Sequence, residues 1–372
     1  MRSLGLYIHI PFCRAKCIYC DFYSLPHAEE KQDAYVSALR RDLIKKAAAA
    51  ADHTVDTIYF GGGTPSYLGD ARLRRILETV FAHYRVDGDA EITTEANPDT
   101  ARDVSALRRL REAGFGRISL GMQSADDDEL RRLGRVHTHA QTVEAVEAVR
   151  AAGFDDLSLD LIYGLPGQSA ARWRKNLDAA IALAPEHLSC YGLKVEEGTP
   201  LYARRGEMDL PDDDAQAEEY LAAVETLRAA GYAQYEISNF ARGGRVSRHN
   251  MRYWTMGEYL GFGPGAHSDF GGRRFAVSRS LEAYLAGEET LSEDAAPSDA
   301  ERLEERVMLS LRTVRGLDLS ALGLPAGDAE RVLAECARHG LAERDGARWH
   351  LTPRGFLVSN AVIVRVLEAL AL

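Results

Sequence analysis

The feature that most constrains this chain is a rhythm. Six short apolar or alternating runs, residues 6–10, 57–63, 91–97, 117–123, 157–164 and 187–193, have the lengths of strands. Between them lie longer segments with helical spacing at 32–50, 71–84, 103–113, 141–152 and 170–183. In the first of these helices Tyr35, Val36, Leu39, Leu43 and Ile44 share a face. Two helices end in Ala-Gly-Phe, at Gly114 and Gly153, where glycine supplies the left-handed stop. Strand and helix alternating without hairpin turns predict parallel strands joined by crossover helices. The result is either an open doubly wound sheet or an incomplete barrel.

The period-2 pattern favours the barrel. Ile118, Leu120 and Met122 point one way, and Ser119, Gly121 and Gln123 the other. Leu157, Leu159 and Leu161 likewise oppose Ser158 and Asp160, while Thr93, Glu95 and Asn97 share a face. Both faces of an ordinary parallel sheet are apolar. One small, polar face predicts an α/β incomplete (β/α)6 barrel whose interior holds a ligand.

Beyond residue 200 the rhythm stops. A helix is predicted at 211–230, its start marked by Asp212, Asp213 and Asp214 near the positive end of the helix dipole. Residues 231–286, rich in glycine and aromatics, read as irregular with short strands, and 291–299 as a polar linker. Helices at 301–313 and 328–339, a strand pair around Asp345-Gly346 and a last helix near 358–370 predict a small winged-helix-like unit. The expected organisation is a barrel with irregular extension over 1–290 and this unit over 300–372. A chain of 372 residues, 46% hydrophobic, has enough apolar material for one large core and a second small one. Its net charge of −11 makes it a poor nucleic-acid binder, so no nucleic-acid partner is expected. With no apolar run long enough to span a bilayer and no signal-like N-terminus, it is expected in the cytoplasm.

Three of the five cysteines, Cys13, Cys17 and Cys20, fall within eight residues just after the first strand. Barrels place active sites on such loops, and thiolates bind iron–sulfur clusters. Zinc is the runner-up, but it wants a fourth ligand, and Asp21 is badly placed to be one. Buried structural cysteines are the bland alternative. Cys190 and Cys336 read as core residues.

A Cys-x3-Cys-x2-Cys loop after the first strand, with Tyr19 before its last cysteine, resembles the radical S-adenosylmethionine (SAM) superfamily. The segments Tyr7 to Cys13, Phe60 to Ser66, Thr94 to Pro98, Gly121 to Ser124 and Asp160 to Pro166 narrow this to the HemN-like family of oxygen-independent coproporphyrinogen III oxidases. The resemblance implies a [4Fe-4S] cluster on Cys13, Cys17 and Cys20 with one iron open to chelate SAM. An electron from the cluster then gives a 5′-deoxyadenosyl radical. It implies SAM binding by Tyr7, Tyr19, Gly62, Gly63, Thr64, Glu95, Gln123, Arg135 and Asp160. Physically, the side-chain-free Gly61–Gly63 turn lets backbone amides approach the SAM amine and carboxylate, although a plain tight turn would look the same. Read alone, Arg135 is one more surface arginine beside Arg131 and Arg132.

The chain departs from the oxidase. Phe22 stands where the oxidase pattern has a further cysteine, and only twelve residues precede Cys13. Both departures resemble the haem-chaperone sister group, as does His249-Asn250-Met251-Arg252-Tyr253-Trp254. The implied function is haem binding and transfer, with His249, Tyr253 and Trp254 at the haem. Coproporphyrinogen oxidation, or other radical-SAM catalysis on a tetrapyrrole, is the alternative. Expected partners are haem, acceptor haemoproteins that can be membrane-bound, and an electron donor for the cluster. Peripheral membrane association through a partner and a homodimer are both compatible with this reading. His249 has a bland reading too, as a hydrogen-bonded structural residue, and His9, His137 and His267 line a pocket at best.

Overall fold

The computed structural model describes residues 2–288 and 290–372. Six parallel strands follow one another in sequence order: β1 (Arg2–Ile10), β2 (His53–Gly62), β3 (Val86–Ala96), β4 (Arg117–Gln123), β5 (Leu157–Tyr163) and β6 (His187–Gly192). A doubly wound sheet would reverse direction midway, so this monotonic order is that of a partial barrel. The crossover helices are α1 (Gln32–Ala47), α2 (Asp70–His83), α3 (Val104–Glu112), α4 (His139–Ala151) and α5 (Ala170–Ala182). Their start signals are local: Asp103 and Ser169 accept backbone N–H bonds as caps, and Thr138 with Gln141 forms a capping box. Leu6, Ile8 and Ile10 of β1, Ile58 and Phe60 of β2, Leu120 of β4 and Leu159 of β5 are fully buried against the helices. The greasy face predicted from alternation is thus the outer one.

The sheet continues past both ends of the arc. Next to β6 lie β8 (Asn239–Ala241) and β7 (Ala233–Gln234), which follow α6 (Asp213–Ala229). Next to β1 lies β9 (Tyr259–Phe262), a further parallel strand, followed by antiparallel β10 (His267–Phe270), β11 (Arg273–Val277) and β12 (Leu291–Ala295). The region expected to be irregular also contains a short helix, α7 (Arg248–Trp254). The 291–299 segment is not simply a linker, since β12 pairs with β11 along Leu291–Ala295. Every residue of β12 is exposed, so no apolar alternation announces it; backbone hydrogen bonds alone make it a strand.

A second apolar cluster gathers Val307, Leu333, Trp349 and Val366. It is built from α8 (Asp299–Ser310), α9 (Gly327–Arg338), α10 (Ser359–Leu370) and a three-stranded antiparallel sheet turning at Gly346. Cys190 and Cys336 are core residues, as expected. Among the described residues no helix is long and apolar enough to cross a membrane.

Candidate functional site

The three clustered cysteines sit at the C-terminal end of β1. Their loop is tied down by backbone: Ile18 N–H donates to Leu133 O (3.1 Å), Leu201 N–H to Ile18 O (2.9 Å) and Leu25 N–H to Pro11 O (2.7 Å). Side chains from just past the ends of β2 and β3 and from the segment between β4 and α4 then link two of the sulfurs. Thr64 Oγ1 lies 3.4 Å from Cys13 Sγ, and Asn97 Nδ2 donates to Thr64 Oγ1 (3.0 Å). Arg135 donates to Asn97 Oδ1 (2.7 Å), to Gly121 O (2.9 Å) and, more weakly, to Cys17 Sγ (3.5 Å). Arg135 is therefore not the surface arginine its neighbourhood in sequence suggests. Burial pushes the Cys13 and Cys20 thiols up, and each feels the charge of Cys17. A bare thiolate is disfavoured here unless a cation shares its charge.

Among the described residues, no three His, Cys, Asp or Glu side chains converge on one ion position. A zinc ion needs four donors within about 2.0–2.3 Å of it. Three cysteines on one loop, within electrostatic reach of one another, are the donor chemistry of a cluster that presents a separate iron to each. The donor set therefore fits an iron–sulfur cubane better than the zinc alternative.

The polar strand face forms the lumen behind this loop. Glu95 on β3 accepts from Tyr59 Oη (2.9 Å) and from Gly62 N–H (3.1 Å). Burial, reinforced by Asp160, raises its carboxyl to about 7. Asp160 accepts from Ser119 Oγ (3.2 Å), and burial raises it as well. Gln123 follows a register break between β4 and β5 and has φ +63°, a left-handed backbone unusual for a non-glycine. Tyr7 faces the lumen from β1, and Tyr19 lies against Arg135 and Cys17.

The glycine turn works differently from the expectation. The N–H groups of Gly62, Gly63 and Thr64 are already donated, to Glu95, Ile10 O and Phe12 O. The amides of the turn are therefore not free to donate to a bound ligand. Glycine is needed for close approach: a Cβ on Gly63 would lie 2.7 Å from Phe12 O, and one on Gly62 would lie 2.5 Å from the His9 ring. Sequence reading missed Tyr59, the partner of Glu95. The signal was present, because Thr57, Tyr59 and Gly61 alternate on the lumen side of β2.

The three residues expected at haem separate. His249 is 1% exposed, with Nδ1 2.9 Å from Thr57 Oγ1 and Nε2 2.8 Å from Tyr253 Oη. Its ring stacks on Tyr59 (centroids 5.2 Å) and faces Tyr7 (6.4 Å). Both nitrogens are engaged, so His249 offers a metal no free donor in this conformation. His249 and Tyr253 form the lumen floor, whereas Trp254 lies outside it, on a cleft. On the other side of the floor, His187 is held in the same way between Ser158 (2.8 Å) and Tyr235 (2.8 Å). His9 and His137 are buried too, but His267 is half-exposed on β10.

Burial lowers His249 to about 3 and His9 to about 4. These rings should stay neutral at pH 5.5, where an unfolded chain would protonate them. Their stabilising contribution is present above about pH 6.5 and is lost as pH falls toward these values. Nitrogen-15 chemical shifts of labelled histidine check this; imidazolium signals for both rings in folded protein at pH 5.5 would contradict it.

A partial (β/α)6 barrel carrying three loop cysteines over a polar lumen defines a radical SAM protein. A model of the Radical SAM superfamily matches residues 7–180, and one of the HemN C-terminal domain matches residues 298–358. The chain is 40% identical to heme chaperone HemW of Mycobacterium tuberculosis, over 97% of this chain and 94% of that protein. Against heme chaperone HemW of Escherichia coli the identity is 37%, covering 98% of both. The solved structure of E. coli coproporphyrinogen III oxidase (HemN) superposes with a TM-score of 0.85 at 25% identity, covering 98% of this chain and 90% of that one. The chain belongs to the HemN-like family of the radical SAM superfamily, alongside the HemW proteins.

Proposed function

We propose that this chain is a haem chaperone. It binds haem and transfers it to acceptor haemoproteins, while its barrel holds a [4Fe-4S] cluster on Cys13, Cys17 and Cys20 and SAM across the strand ends. The observation that carries the reading is 35–40% identity to HemW proteins over 96–98% of the chain. When bound and reduced, the cluster would supply an electron to SAM. The chain's own residues prepare the place. Arg135 offsets negative charge at Cys17, and Asn97 and Thr64 hold Arg135 and Cys13 in register. Glu95 and Asp160 accept from hydroxyl or ammonium donors of SAM, and Gln123, Tyr7 and Tyr19 border it. The Gly62–Thr64 turn borders it as well. The proposal includes the division into a barrel unit over 1–290 and a small unit over 300–372, and a cytoplasmic location.

Anaerobic haemin titration tests the reading. A stoichiometric Soret band is expected, and transfer of that haem to an apo-haemoprotein should follow; a wild-type protein that develops no such band sinks the proposal. The overall likeness to the oxidase favours a second reading, a radical-SAM enzyme acting on a tetrapyrrole. Conversion of coproporphyrinogen to protoporphyrinogen would decide for it.

A further inference from the structure

The turn Asn97-Pro98-Asp99-Thr100 follows β3 and meets the cysteine loop. It closes on itself: Thr100 N–H and Thr100 Oγ1 both donate to Asn97 O (2.9 Å each), and Thr100 Oγ1 lies 2.5 Å from Ser66 Oγ. So fixed, the turn brings two side chains to two arginines. Asn97 accepts from Arg135, and Asp99 Oδ2 lies 3.3 Å from Arg14 Nη1. Arg14 stands between Cys13 and Cys17 and is exposed, whereas the Asp99 side chain is only 5% exposed. Arg135 also feels the charge of Asp99. Neither Asp99 oxygen has a hydrogen bond. A buried carboxylate in that position depends on the cations near it. Arg14, Cys17, Asp99 and Arg135 line one small cavity, in which Asp99 is the single carboxylate among the described residues. His137, a further wall, adds no charge, because burial lowers it to about 4. A volume of about 10 Å³ admits at most one water molecule. The Asp99 carboxylate therefore acts on the two arginines and not on a bound ligand.

We propose that Asp99 is a positioning residue for the cysteine loop: it holds Arg14 and Arg135 beside Cys17 and offsets their charge there. The inference rests on the reading that Cys13, Cys17 and Cys20 hold the [4Fe-4S] cluster. Asp99 falls one residue past the Thr94–Pro98 segment that carries the family resemblance. Its two partners give it two effects. The backbone ties of the loop lie at Pro11 and Ile18, and the Arg14–Asp99 pair adds a tie between them, within the stretch from Cys13 to Cys17. Facing Arg135, whose guanidinium reaches Cys17 Sγ (3.5 Å), Asp99 sets how much positive charge that sulfur meets. A cluster becomes more negative by one charge when it takes up an electron. A carboxylate nearby opposes that step and an arginine favours it, so the local charge is a lever on the reduction potential.

The test uses the full chain, reconstituted anaerobically without SAM. Two quantities are measured: the rate at which a chelator strips iron, and the midpoint potential of the cluster by titration followed with electron paramagnetic resonance. Asp99→Asn and Arg14→Gln should each speed iron loss about threefold or more. The double variant should lose iron no faster than either single one, because both break the same pair. The potentials should part: upward in Asp99→Asn, which removes a negative charge, and downward in Arg14→Gln, which removes a positive one. Asp99→Glu keeps the charge and should restore the wild-type potential. A general loosening of the turn would speed iron loss without splitting the two potentials by sign. If iron losses add in the double variant, the pair is overturned. An Asp99→Asn potential at or below the wild-type value overturns the charge role. If Asp99→Asn holds too little cluster to titrate, Arg14→Gln decides, since its potential must fall. A wild type that assembles no cluster defeats the parent reading itself, and this inference with it.

Discussion

Gly63→Ala should yield folded protein that takes up little or no iron–sulfur cluster, nearly as severe a loss as Cys17→Ala. The two fail for different reasons. Cys17→Ala removes a thiolate. Gly63→Ala leaves every thiol in place but sets a methyl 2.7 Å from Phe12 O and 2.8 Å from Ile10 O. Those are backbone atoms of the strand leading into Cys13, and they cannot rotate away. The turn must shift, and with it the bonds from Gly63 N–H to Ile10 O and Thr64 N–H to Phe12 O (both 2.8 Å). Thr64 then no longer meets Cys13, and the thiols lose their register. Anaerobic reconstitution followed by visible absorbance and iron content measures this, with circular dichroism confirming the fold. A folded Gly63→Ala protein with wild-type iron content would show that the close packing does not govern cluster assembly.

The second large effect concerns pH and SAM. With its carboxyl raised to about 7 by burial, Glu95 is about half protonated at neutral pH before a ligand binds. Hydroxyl or ammonium donors on a ligand prefer the ionised form. Binding must therefore drive off a proton as pH falls below 7, and affinity for SAM should drop toward a limit of about tenfold per pH unit. The groups facing Glu95 are Tyr59, the Gly62 N–H and Asp160. Burial raises Asp160 as well, so it adds to the slope at lower pH. Glu95→Gln should bind more weakly at pH 8 and flatten the profile between pH 6 and 8. Isothermal titration with SAM under anaerobic conditions reads both, and a wild-type profile flat across that interval would remove Glu95 from the binding set.

How much of this was legible in the chain depends on where each piece of information is stored. Strand β4 matches its predicted span because Ile118, Leu120 and Met122 alternate without interruption. Strand β12 was missed because Leu291–Ala295 pairs through backbone alone and buries nothing. The cysteine loop was plain because its spacing is local. Arg135 could be placed only by resemblance, since its partners Asn97, Gly121 and Cys17 meet it through the closing of the barrel. The glycine turn was found, but its chemistry was assigned to the wrong atoms. Sequence marks where side chains are missing, not which backbone groups are already bonded. His249 shows the same limit: aromatic neighbours are visible in the chain, whereas the two hydroxyls occupying its nitrogens come from residues 57 and 253.

The stack of Tyr7, Tyr59, His249 and Tyr253 stoppers the barrel from below. Closed beneath, the lumen is open toward the cysteine loop and along the seam that the unclosed arc leaves.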